Sequence, residues 1–282
     1  GGTDLERLRS WIRERMPEEA ERRARAALRR EPPPDGEEAR ALRLLLAEAV
    51  AEQGRIAEAE GVLADLAEGP DRALAEARVA EAAGRPAEAA AALGRYLESS
   101  PADVDERLRR ATLWMQTGRW EEAEADLREA TRLRPEEPDP YRLLGESLAQ
   151  QGRHDEAAEA FARHAELGGT LEAAPDALAT YAWSLHQAGR NEEALRVLVS
   201  SLLPQRHALS ASERSRLMML SGAVLDALGR QAESVTAFQE AVEADPSSPE
   251  AHFNLGRALR GIDPARADEH FRRAGELGYG PQ

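Results

Sequence analysis

The fold turns on Gln151-Gly152-Arg153-His154-Asp155-Glu156-Ala157. The pattern recurs as Gln53-Gly54-Arg55-Ile56-Ala57-Glu58-Ala59, Thr117-Gly118-Arg119-Trp120-Glu121-Glu122-Ala123 and Ala188-Gly189-Arg190-Asn191-Glu192-Glu193-Ala194. Ala83-Gly84-Arg85 through Ala89 and Leu228-Gly229-Arg230 through Ser234 complete six copies. From Gly54 to Gly84, Gly118, Gly152, Gly189 and Gly229 the steps are 30, 34, 34, 37 and 40 residues. Such spacing is a repeat of about 34 residues with small insertions.

Each copy reads as two amphipathic helices about a tight turn. Before the turn glycine, apolar or small residues recur at helical spacing, as in Tyr141, Leu144, Gly145 and Leu148; after it come Ala157 and Phe161. The glycine ends the first helix in a left-handed cap, and small residues let the two helices approach closely. Pro101, Pro135 and Pro246 close second helices and start the next unit.

These units resemble tetratricopeptide repeats (TPRs). One late copy carries Gly222, Leu225, Gly229, Phe238, Ala241 and Pro246; the next carries Leu255, Gly256, Leu259, Ala267, Phe271 and Ala274, its turn one residue short at Gly261–Pro264. The N-terminus fits in degenerate form through Trp11, Ala20, Ala24, Ala27 and Pro32, with Arg15 in place of the turn glycine. The expected architecture is an all-α TPR superhelical solenoid of antiparallel helix pairs. Residues 1–34 form the degenerate hairpin, 35–205 repeats one to five, 206–214 an exposed loop, and 215–282 repeats six and seven. Ser210 with Glu213 is read as a capping box, and Gly168–Ala174 as a smaller loop.

Composition agrees with helices. The chain of 282 residues has 55 Ala but only 3 Ile, 9 Val and 7 Thr, too few β-branched residues for a large sheet. All 37 basic residues other than His are Arg; against 52 Asp and Glu they leave a net charge of −15, which argues against nucleic-acid binding. No run approaches a membrane span, the opening Gly1-Gly2 reads as a boundary and not a signal peptide, and the absence of Cys removes disulfides and thiolate chemistry.

No catalytic constellation emerges. None of His154, His164, His186, His207, His252 and His270 makes a metal-type i, i+4 pair with an acid, and no nucleophile elbow or phosphate loop occurs. The acidic pairs after each turn, such as Glu121-Glu122, read as helix-dipole partners, and the arginine after each turn glycine as a solvated edge. No enzyme, metal or cofactor is expected.

The resemblance implies that first helices line a concave groove where a partner binds. Periodicity places Arg9, Arg13, Leu44, Glu48, Glu52, Arg78, Glu81, Leu108, Arg109, Thr112, Met115, Gln116, Arg142, Glu146, Trp183, His186, Gln187, Met219, Asp226, Phe253, Asn254 and Arg257 on that face. The peptide-binding candidates are Arg78, Arg109, Met115, Gln116, Arg142, Glu146, Trp183, His186, Gln187, Met219, Phe253 and Arg257, with Trp183 as the aromatic anchor. The three arginines either meet ligand carboxylates or pair with Glu48, Glu81 and Glu146 beside them. Trp11, Trp114, Trp120, Tyr141 and Tyr181 read as core. The carboxylate clamp by which some TPR domains hold chaperone tails is not matched, since Glu48 and Asp105 fall where that pattern needs bases or amides.

The expectation is therefore a non-enzymatic interaction scaffold for a protein or peptide, without nucleic acid or membrane insertion. The alternatives are a regulatory or assembly module of a larger enzyme or pilotin-like secretion machine, and self-association through an uncapped C-terminal end with Phe271 and Leu277 exposed. A cytoplasmic location is expected, with the periplasm as alternative.

Overall fold

The computed structural model describes residues 2–14, 16–31, 33–171 and 175–279, apart from the side chains of residues 2–4, 13 and 175. Arg15 and Pro32, the side chain of Arg13, residues 172–174 and the tail beyond Tyr279 lie outside the described residues.

Among the described residues there are sixteen α-helices, taken in consecutive pairs. They are α1 (Gly2–Arg13) with α2 (Pro17–Leu28), α3 (Gly36–Glu52) with α4 (Ile56–Ala64), α5 (Pro70–Ala82) with α6 (Pro86–Ser99), and α7 (Val104–Gln116) with α8 (Trp120–Leu133). Then come α9 (Pro138–Gln150) with α10 (His154–Glu166), α11 (Pro175–Gln187) with α12 (Asn191–Val197), α13 (Ala211–Ala227) with α14 (Gln231–Ala244), and α15 (Pro249–Leu259) with α16 (Pro264–Glu276). The first four pairs form one compact unit, to Glu136, and the last four a second, from Glu137.

The turn chemistry is local. Gly54, Gly84, Gly118, Gly152, Gly189 and Gly229 have φ between 68° and 79°, the left-handed region that a side chain makes costly. The arginine that follows each glycine is the N-cap of the second helix and reaches the glutamate three residues on, from Arg55–Glu58 to Arg230–Glu233. The solvated edge expected from the sequence is therefore a row of surface ion pairs, each worth under about 1 kcal/mol.

Within each unit a first helix packs on its own second helix, and that second helix packs on the first helix of the next pair. Leu42, Leu93 and Leu127 fill the first unit, and Phe161, Leu185, Leu198, Phe238 and Leu255 the second, surrounded by alanines such as Ala89 and Ala241. Gly145 and Gly222 have a specific purpose here. A Cβ on them would stand 2.8 Å from the Phe161 ring and 2.7 Å from the Phe238 ring, so the missing side chain admits a phenyl group of the facing helix.

The stretch 206–214 is exposed over most of its length, as expected, but most of it is helical and not loop. After α12 the backbone continues through a π-turn (Leu198–Leu202) and a 3-10 turn (Leu203–Ala208), and α13 starts at Ala211. Burial of Leu198 and Leu202 keeps the insertion helical. Ser210 and Glu213 form the capping box.

Candidate functional site

The first helices of the first unit enclose a groove. It has a volume of about 910 Å³ between α1, α3, α5 and α7. The α3 helix is its floor, because Glu37, Ala41, Leu44, Leu45, Glu48 and Glu52 recur on one face. Arg40 of α3, Arg9 and Ile12 of α1, Asp71, Leu74 and Arg78 of α5, and Arg109 of α7 complete the lining.

The walls are tied by ion pairs between neighbouring first helices. Arg40 holds Asp71 in a two-pronged contact, Nε to Oδ2 at 2.7 Å and Nη2 to Oδ1 at 2.8 Å, and its Nη2 also donates to the Ala67 carbonyl. Arg78 pairs with Glu106. Arg109 Nε donates to Glu81 at 2.6 Å. Of the two roles left open for these arginines, the structure shows internal pairing: Arg109 meets the expected Glu81, whereas Arg78 meets Glu106 and not Glu48, and its buried Nη1 has no hydrogen-bond partner.

Glu48 and Glu52 accept no hydrogen bond among the described residues. Burial raises the Glu48 carboxyl to about 7 against the pull of Arg78 and Arg9, and the charges of Glu106 and Glu52 add to the rise. The groove thus combines leucine surface with carboxyl groups whose bonding capacity is unused.

In the second unit the candidates separate. Arg142 is bound to Glu146 at 2.6 Å, four residues along α9. Trp183 is 44% exposed on α11, with its ring 5.8 Å from that of His186. His186 is itself held, its Nδ1 donating to Asn191 Oδ1 at 2.7 Å. Gln187 and Arg257 are exposed, whereas Met219 is half-buried against two core clusters and accepts a long contact from Asn254. Phe253 is not an open anchor: Tyr279 stacks on it at 4.4 Å and Phe271 meets it edge-on at 5.6 Å. Phe271, expected to be exposed, is half-buried under Phe253 with Arg260 over its face. In the first unit Met115 is half-buried at the end of α7 and Gln116 is exposed.

Several groove residues escaped the sequence reading, namely Ile12, Glu37, Arg40, Ala41, Leu45, Asp71 and Leu74. Glu37, Ala41 and Leu45 share the period that places Leu44 and Glu48 on one face, so a signal existed for them. The buried Asp126, 2% exposed, was also missed. It accepts from Arg110 Nε at 2.7 Å and from Arg107 at 3.1 Å, joining α7 to α8. No group of three or more metal-type side chains, and no helix long and apolar enough to cross a membrane, occurs among the described residues.

Comparison with known proteins agrees with the fold. A family model described as tetratricopeptide repeat matches residues 12–73, 74–138 and 108–172, and a second, TPR repeat, matches 222–260. No curated protein matches the chain. Among solved structures, MamA 41-end from Desulfovibrio magneticus RS-1 is 25% identical with a TM-score of 0.54, covering 62% of this chain and 94% of that one. The MamA RS-1 ArsTM double mutant is 26% identical at a TM-score of 0.53, covering 62% and 93%. YrrB, a TPR protein with an unusual peptide-binding site, is 19% identical at a TM-score of 0.55, covering 67% and 93%, a likeness of fold.

Proposed function

The chain belongs to the tetratricopeptide repeat family, a protein-interaction scaffold, and from that premise we propose that it is a non-enzymatic scaffold whose N-terminal unit docks an extended segment of a partner protein between α1, α3, α5 and α7. The observation that carries this reading is the groove of about 910 Å³, with leucine and isoleucine surface on its floor and walls. That volume lies within the range typical of ligand clefts. Ion pairs between successive first helices hold the walls in place before any ligand arrives, which lowers the ordering cost of binding.

The experiment is fluorescence anisotropy of labelled degenerate decapeptide pools on the full chain and on Ala41→Trp. Ala41 lines the groove, so an indole there occupies it without removing an ion pair. Loss of binding by at least about tenfold at unchanged thermal stability supports the reading. Equal binding by both proteins overturns it.

A second reading has its own support. Trp183 exposes 44% of its surface on α11 of the second unit, a large aromatic group at a position where solvent is the costlier neighbour. We place a second contact for the same class of partner there, tested by Trp183→Ala in the same assay. A cytoplasmic scaffold is the location we propose for these contacts.

A further inference from the structure

We propose that the docked segment presents a lysine or arginine whose cation sits against Glu48 and Glu52 on the floor of the N-terminal groove. This rests on the docking reading above and adds the chemistry of the ligand.

The charge inventory of the groove selects the sign. Arg40, Arg78 and Arg109 are paired with Asp71, Glu106 and Glu81, Arg9 lies near enough to Glu48 to pull on its carboxyl, and Glu37 and Glu52 add further acid to the lining. An acidic ligand would have to take these arginines from their partners and face two further carboxyl groups. Glu48 and Glu52 lie four residues apart on α3, a spacing that brings both groups to one face, and both line the groove. Neither accepts a hydrogen bond among the described residues, so their acceptors face the groove, against one buried donor without a hydrogen-bond partner, Nη1 of Arg78.

Shape agrees with charge. Leu44 lies one turn before Glu48 on the same face, and Leu74 and Ile12 flank it. A long basic side chain can cover this apolar surface with its methylenes and carry its charged end on to the carboxyl groups. A chain of net charge −15 also attracts basic segments from a distance.

Glu48 adds a pH dependence. Its carboxyl, lifted by burial to about 7, faces Arg9 from α1, Arg78 from α5, Glu106 from α7 and Glu52 from its own helix. A cation brought against it favours the ionised form, so binding releases a proton and strengthens as pH rises from 6 to 8.

The test uses the full chain and three labelled decapeptide pools with central Lys, Gln or Glu, at pH 6 and pH 8. The Lys pool is expected to bind about tenfold tighter than the Gln pool at pH 8. In Glu48→Gln/Glu52→Gln, which keeps side-chain shape, that preference is expected to fall within about twofold. The gain from pH 6 to pH 8 is expected to shrink in Glu48→Gln alone, the remainder coming from Glu81 beside Arg109, whose carboxyl burial also lifts to about 7. Equal binding of the Gln or Glu pool by a groove still blocked in Ala41→Trp overturns the basic ligand and leaves docking intact. A Lys preference unchanged in the double variant also overturns it. Failure of every pool to bind overturns the docking reading and this one with it.

Discussion

Arg109 on α7 donates to Glu81 on α5 at 2.6 Å, and the same two helices are joined the opposite way by Arg78 on α5 and Glu106 on α7. Each helix offers one base and one acid three residues apart, Arg78 with Glu81 and Glu106 with Arg109. The two bridges therefore lock the register of neighbouring repeats along the groove wall. Reversing one charge in Glu81→Arg should cost about 1–2 kcal/mol, and adding Arg109→Glu should restore most of it. Urea unfolding of the two single variants and the double variant checks this; strict additivity would show that the bridges carry no register information.

Glu48 makes stability depend on pH in a definite direction. Its carboxyl stands at about 7 in the fold against an ordinary 4.5, so the folded protein binds the extra proton between those values. The stability this gives is complete below about pH 4.5 and is lost as pH rises through 7. Glu48→Gln should therefore stabilise the protein by about 1–2 kcal/mol at pH 8 and change little at pH 4.5. Denaturant unfolding at the two pH values reads the difference, and an equal effect at both would contradict it.

The glycines separate by what surrounds them. A methyl at Gly222 meets the Phe238 ring at 2.7 Å, whereas one at Gly61, inside α4, meets nothing within 4 Å. Gly222→Ala should cost about 1–3 kcal/mol through overpacking. Gly61→Ala should gain about 0.5–1 kcal/mol through helix propensity. Thermal melts of the two variants should move in opposite directions.

At the C-terminal end His252 and His270 face each other, Nδ1 to Nδ1 at 3.0 Å, with His252 Nε2 donating to the Pro246 carbonyl at 3.1 Å. Burial, then the charge of His252, holds His270 below the ordinary histidine range; Arg266 works in the same direction and Glu269 opposes it. A histidine lowered by folding contributes stability that is present above about pH 6.5 and declines as pH falls. His270→Gln should flatten the decline between pH 7 and pH 5 in a melting series. An unchanged slope would remove His270 from the account.

Much of this was legible in the residues because it is local. A glycine forced to positive φ is needed at each turn, and that requirement repeats with the period, so the helix pairs can be read directly. The groove was legible in part for the same reason: Arg9, Leu44, Glu48, Glu52, Arg78 and Arg109 follow from helical spacing and line one cavity. What spacing does not carry is the offset between stacked repeats. Arg78 reaches Glu106, 28 residues on, because of how α5 and α7 are aligned, and no pattern within either helix specifies that choice. Phe253 looks like an open aromatic in its own helix, and only the return of Tyr279 covers it. The insertion before α13 looked like a loop from its length, although its leucines have a core to enter.

The claim at the centre is that the first-helix groove of the N-terminal unit holds the partner segment. Photo-crosslinking tests it most directly, with a benzophenone amino acid at Leu44 on the groove floor or at the exposed Glu98 on α6, and the Lys-centred peptide pool as probe. The account predicts a crosslink from position 44 that excess unlabelled peptide abolishes, and none from position 98. Crosslinking from position 98 alone, or equal labelling from both, would contradict it.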